Sequence, residues 1–237
     1  MDNKIIITEK QFLKITNLLK ENVANPNIMR AYSFDWDDNI IMMPTTIKML
    51  KKVGDEWEKV NVSTEDFASF RNSGEYKLDD EAFINFIDDN LFMEDLEKAL
   101  KSKSYAPSFD KFKEALIYAN PISIITARGH KPETLRKGMD LIIAYTFSEN
   151  ELEDMIDNIQ QEIPELDGVD VETTLKTYLD SHDYHPVTSE YFTDKFGLDS
   201  GSAVNPEENK KIALRDYVTK IVTKAKEMVD TQYNKLS

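Results

Sequence analysis

The sequence predicts an α/β fold: a parallel sheet with helices on both faces, extended by a β-hairpin and helical insertions. Three observations predict it. Two short stretches rich in aromatic and β-branched residues, 30–35 ("RAYSFD") and 121–130 ("PISIITARGH"), each run into a polar loop. Helical patterns follow both, and strand–helix–strand–helix order is the order of parallel sheets. Gly and Pro number only 7 and 8, too few for a many-turned β architecture.

The elements are read in chain order. Residues 8–23 pattern as a helix, with Thr8 and Gln11 as a capping box and Phe12, Ile15, Leu19 and Val23 on one face. Residues 30–35 read as a buried strand that delivers Asp35 at its carboxyl end. Residues 45–62 read as a β-hairpin turning at Gly54-Asp55. Residues 63–105 read as mostly helical, with Ser63 as N-cap and Asp66 in the first turn. Ser108 caps the next helix, which carries Phe109, Phe112 and Leu116 in line and ends at Asn120-Pro121.

The second strand holds Ile122, Ile124 and Ile125 and runs into Thr126, Arg128, Gly129 and His130. Pro132 suits the first turn of the helix that follows, through about Tyr145. Residues 138–175 contain eleven acidic residues and no Lys or Arg, the composition of a solvated helical insertion. A third short strand is expected around 184–189. From Asn205-Pro206 onward a helix is expected to bury Leu214, Val218, Ile221, Val222, Ala225 and Val229.

Bulk properties exclude several function classes. With 29 basic and 44 acidic residues the net charge is −15, a field that repels polyanions, so nucleic-acid binding is disfavoured. There are no cysteines, which removes disulfides, thiolate metal sites and cysteine nucleophiles. Any metal must be held by oxygen or imidazole, and His130, His182 and His185 are too scattered in sequence to suggest a site. No membrane span and no signal peptide is apparent, so a cytoplasmic protein is expected.

Asp35, Asp37 and Asp38 stand within four positions around Trp36. Carboxylates this close repel one another unless a cation or a reaction employs them. A calcium loop fails as an account: Ile40 stands where the turn glycine belongs and Thr46 where the bidentate glutamate belongs. Trp36, Met42 and Met43 read as packing residues.

The constellation resembles the haloacid-dehalogenase-like superfamily of phosphotransferases. "YSFDWDDN" is similar to its first motif, Asp-x-Asp-x-Thr after a hydrophobic strand, and supplies Asp35, Asp37 and Asn39. "ISIITARGH" is similar to the second and supplies Thr126. "NPEENKKIALRDYV" offers Lys210 and Lys211 for the lysine of the third. The wording is also similar to that of often phage-encoded members. The resemblance implies a Rossmann-like core from 1–40, 106–146 and 184–237, a flap hairpin and helical cap in 41–105, and an acidic helical insertion in 147–183. About 90 residues between the first two motifs leave room for flap and cap.

The chemistry implied is Mg²⁺-dependent hydrolysis of a small phosphorylated metabolite or nucleotide. Asp35 would be nucleophile, Asp37 acid and base, and both would take part in the metal site. Thr126 and Lys211 would stabilise the phosphoryl group, with Lys210 the alternative, since adjacent helical lysines point about 100° apart. Asn39, Arg128 and Lys210 are candidate substrate contacts. One departure stands out: the acidic pair of the fourth motif does not follow the lysine helix. The Asp35 strand would then be a sheet edge. Three accounts stay open: a fragment of a longer chain, another segment or a protein partner covering that edge, or a member that kept the scaffold and lost the chemistry. The last would act as an interaction protein, for example in a viral assembly.

Overall fold

The computed structural model describes residues 29–198 and 205–236, with side chains through 227. The helix expected over 8–23 lies outside the described residues. The described residues from Ala31 onward belong to one compact unit.

Three strands form a parallel sheet in the order β1 (Tyr32–Phe34), β5 (Ile122–Thr126), β6 (Asp183–Pro186). Three more form an antiparallel sheet in the order β3 (Glu56–Val62), β2 (Ile47–Val53), β4 (Tyr76–Leu78). In chain order the helices are α1 (Thr64–Phe70), α2 (Asp89–Lys101), α3 (Phe109–Ile117) and α4 (Pro132–Thr146). They continue as α5 (Glu149–Glu162), α6 (Val171–Asp180), α7 (Glu190–Phe196) and α8 (Pro206–Leu236).

β5 is the centre of the parallel sheet, and all five of its residues are buried. Side chains alternate along a strand, so Ile122 and Ile124 share one face and Ile125 takes the other. The first face joins Phe34, Phe112, Leu135, Met139 and Ile142 in the main core. The second packs Ile125 with Val187, Phe192 and Ala213. Helices therefore cover both faces of the sheet. The acidic stretch is helical as expected, but α5 and α6 turn Met155, Ile159, Tyr178 and Leu179 into the main core. Its carboxylates occupy only the outward side.

Local signals account for the element ends. Gly54 turns the β2–β3 hairpin at φ +63. The Ser63 hydroxyl accepts from the Asp66 amide at the start of α1. Pro132 opens α4, and Asn205 Oδ1 accepts from the Glu208 amide at the start of α8.

Two expectations need correction. The stretch 63–105 is interrupted by β4 and a single 3₁₀ turn, Ile84–Phe86, because the edge of β2 is there to pair with Tyr76–Leu78. The buried face of α8 is also rotated: Ala213 and Tyr217 face inward, while Leu214 and Val222 are exposed. The small Ala213 lets the helix backbone approach the sheet, and the Tyr217 hydroxyl donates to the Pro121 carbonyl at 2.8 Å. No helix of the described residues is long and apolar enough to cross a membrane.

Candidate functional site

β1 and β5 run parallel with Phe34 opposite Ile124, so Asp35 and Thr126 emerge at the same carboxyl edge of the sheet. Ligands of open α/β sheets bind at this edge. Trp36 is fully buried against Phe92 and fastens the loop after β1 to α2. Gly138 on α4 gives the indole room: a Cβ there would stand 2.8 Å from its ring. Asp38 takes a left-handed φ of +57, which turns the chain immediately after Asp37.

Lys210 reaches this edge from the far end of the sequence. Its Nζ donates to Oδ2 of Asp35 at 2.7 Å, while the Trp36 amide donates to Oδ1 at 2.7 Å. Burial pushes the Asp35 carboxyl above its ordinary value; Lys210 pulls it down and neighbouring Asp37 adds to the rise. Lys211 does not share this place. It points to Glu208 at 2.9 Å and its side chain is 61% exposed. The choice follows from helix rotation, since Lys210 lies three and seven residues before the inward Ala213 and Tyr217. Asn209, beside it, donates to the Val187 carbonyl and ties α8 to the turn after β6.

Arg128 and Asn39 both have protein partners. Arg128 is wholly buried, with its guanidinium over the rings of Phe86 and Phe92. It binds Asp37 twice, Nε to Oδ2 at 2.8 Å and Nη2 to Oδ1 at 2.7 Å. Nη2 also donates to the Thr45 hydroxyl, and Nη1 lies 3.2 Å from His130 Nε2. Burial and the adjacent Arg128 hold His130 down at about 4, so its neutral Nε2 serves as acceptor. Asn39 turns away from the sheet edge and donates to the Ser108 hydroxyl at 3.0 Å. Ser108, expected to cap α3, makes no capping bond, because its backbone at φ −91 and ψ 0 is not the extended conformation of a capping residue.

Thr126 is fully buried, and its hydroxyl oxygen accepts from the Arg128 amide at 3.4 Å. The structure thus gathers Asp35, Asp37, Thr126, Arg128 and Lys210 at one edge. Sequence reasoning missed Thr45 and Asp95. The Thr45 hydroxyl donates to Asp95 Oδ2 at 2.9 Å. One signal was available: Asp95 interrupts the inward stripe of α2, among Phe92, Leu96, Ala99 and Leu100.

A second group of metal-type donors lies at the other edge of the sheet. Asp183, His185 and Asp216 bring one donor atom each within 4.8 Å of one another, a set that can hold a metal ion. Of the three histidines only His185 belongs to this group, which β6 and α8 assemble from residues that are far apart in sequence. Lys220 stands against both carboxylates and Lys195 lies 3.6 Å from Asp216. These ammonium groups already compensate the acidic pair.

Compared with known proteins, the chain matches no family model, no curated protein and no solved structure.

Proposed function

We propose that the chain is a haloacid-dehalogenase-like phosphohydrolase that transfers the phosphoryl group of a small phosphorylated metabolite or nucleotide to Asp35 and then to water. The single observation that carries this reading is the Lys210–Asp35 pair at the carboxyl edge of the parallel sheet, a contact between residues 175 apart in sequence. Three features support it further. The acid-bearing strand lies beside the strand ending in Thr126. The left-handed turn at Asp38 falls where the resembled motif commonly has Gly. The β2–β3 hairpin follows the first motif, where such proteins carry a flap.

Asp35 Oδ would attack phosphorus while the ester oxygen departs with a proton from Asp37, leaving an aspartyl-phosphate. Water then attacks that phosphorus, gives its proton to Asp37 and restores the Asp35 carboxylate. As paired with Arg128, both Asp37 oxygens accept hydrogen bonds, so one of the two bonds gives way when Asp37 carries a proton. Lys210 and the Thr126 hydroxyl stabilise the phosphoryl oxygens.

The donor chemistry suits Mg²⁺, since the loop after β1 offers carboxylate oxygens and no thiolate or imidazole. Asp35 and Asp37 would hold the ion. Bound there, it supplies charge neutralisation at the phosphoryl oxygens.

The test is turnover of p-nitrophenyl phosphate by the purified chain with Mg²⁺. Activity that is lost in Asp35→Asn is the expected result, and no turnover at any Mg²⁺ concentration overturns the reading. A second reading, a non-catalytic protein on the same scaffold, draws on the occupation of both Asp37 oxygens by Arg128. It expects a stoichiometric protein complex that survives Asp35→Ala and Asp37→Ala together.

A further inference from the structure

We propose that Thr45 and Asp95 are positioning residues for Asp37, acting through the buried guanidinium of Arg128. The inference rests on the reading of Asp37 as the proton-transfer group.

A guanidinium is a rigid plane, so holding one edge orients the other. The outer edge of Arg128 grips Asp37. Its Nη2 also meets Thr45 at 3.0 Å. Thr45 has one hydroxyl proton, and that proton goes to Asp95, so a lone pair is left facing Arg128. The direction of every bond in this chain is therefore fixed: Arg128 to Thr45, Thr45 to Asp95.

Asp95 is nearly as buried as the leucine that follows it, at 5% exposure against 0%. A carboxylate at such a place costs stability unless it is paired. Its partners are the Thr45 hydroxyl and Lys98 Nζ at 3.1 Å, the latter mostly in solvent. The Lys98 pair lies within α2, and the Thr45 bond alone leaves the helix. What Asp95 accomplishes is to fix Thr45, which stands in the segment leading into β2. Two further contacts complete the cradle. His130 Nε2 faces Nη1, and the Gly129 amide donates to the Phe86 carbonyl, which seats the loop after β5 against the residues that sandwich the guanidinium. Four separate segments thus converge on one side chain whose outward bonds go to Asp37.

The experiment uses the full chain with Thr45→Val, Thr45→Ser and Asp95→Asn, each checked for native circular dichroism. Two readouts are taken. In steady-state turnover of p-nitrophenyl phosphate with Mg²⁺, Thr45→Val and Asp95→Asn should lower kcat on the order of 10- to 100-fold with KM within about twofold, and Thr45→Ser should restore it. In ¹H–¹⁵N spectra, the Arg128 Nε–H should exchange slowly in the parent chain and in Thr45→Ser. It should exchange at least about 10-fold faster in Thr45→Val, as a buried hydrogen bond is loosened.

Unchanged exchange in Thr45→Val overturns the proposal. So does faster exchange with kcat unaltered. A parent chain without turnover ends the phosphohydrolase reading, and the exchange measurement then decides the positioning of the Arg128–Asp37 pair by itself. Should Asp95→Asn fail to fold, Thr45→Val, which keeps shape and volume, still decides.

Discussion

Arg128 and Asp37 are joined by two parallel hydrogen bonds, Nε to Oδ2 and Nη2 to Oδ1, with the guanidinium wholly buried and the carboxylate side chain 15% exposed. The asymmetry in burial has an energetic consequence. Deleting Asp37 strands a cation where water does not reach, whereas deleting Arg128 leaves a carboxylate that water can approach. Asp37→Ala should therefore cost about 3 kcal/mol of folding stability, and Arg128→Met less, despite the larger side chain removed. Urea denaturation of the two variants decides the order. A larger loss in Arg128→Met would mean that its packing between Phe86 and Phe92 outweighs the charge.

The two adjacent lysines of α8 separate cleanly. Lys210 is bonded to Asp35 and Lys211 to Glu208 on the solvent side. Lys210→Ala should lower turnover of a phosphate ester on the order of 10²- to 10³-fold, as loss of a preorganised charge does. Lys211→Ala should stay within about twofold, because exposed pairs contribute little. The reverse pattern, measured by initial rates, would place the helix in another rotation.

What the sequence could disclose is set by how local each signal is. A strand within 30–35, the turn at Gly54, the Ser63 cap and the Pro132 helix start are written in neighbouring residues, and the structure has all four, although the strand is confined to Tyr32–Phe34 and only Phe34 of it is buried. β4 was not legible, because its three residues become a strand only where β2 offers an edge. The choice between Lys210 and Lys211 depends on the rotation of α8, which Ala213 and Tyr217 set by packing on distant residues. The Asp183–His185–Asp216 group joins β6 to a residue some thirty positions on, so spacing could not announce it. Arg128 was visible as a loop arginine after a strand. Its burial was not, because the two phenylalanines that cover it, Phe86 and Phe92, lie about forty positions upstream.

The buried histidines predict an acid-labile fold. Desolvation, aided by nearby Arg and Lys charges, holds His130, His182 and His185 down at about 4, 3 and 4, against 6.5 when free. Between pH 6.5 and 4 the unfolded chain binds protons that the folded chain refuses, so stability is full above 6.5 and is lost as pH falls through this window. Asp35, with its raised carboxyl, works in the opposite sense. Glu151 is held at about 2 by Lys113 and the Ser148 cap, so its contribution fades only below the ordinary glutamate range. Three histidines against two aspartates, Asp35 and the likewise burial-raised Asp38, should leave a net loss, since each tenfold difference in proton affinity between the folded and unfolded chain is worth about 1.4 kcal/mol. The urea midpoint should drop between pH 7 and pH 4.5, and drop less in His182→Phe. A flat profile would refute the burial of these imidazoles.

Gly138 and Gly129 make a matched pair of packing tests. At Gly138 an added Cβ would meet the Trp36 ring at 2.8 Å and the Phe92 ring at 3.1 Å. Both rings are fully buried, so neither has room to retreat. Mid-helix alanine is worth about 1 kcal/mol over glycine, but overpacking of a core costs about 1–3 kcal/mol. Gly138→Ala should therefore destabilise, and the displaced Trp36 should alter near-ultraviolet circular dichroism. At Gly129 the closest atom is the Cγ2 methyl of Ile87, at 2.7 Å, on a side chain 54% exposed that can swing into solvent. Gly129→Ala should cost well under the Gly138 variant in thermal melts. Equal losses would mean that the loop after β5, which carries Arg128, tolerates displacement as poorly as the aromatic core beneath Asp37.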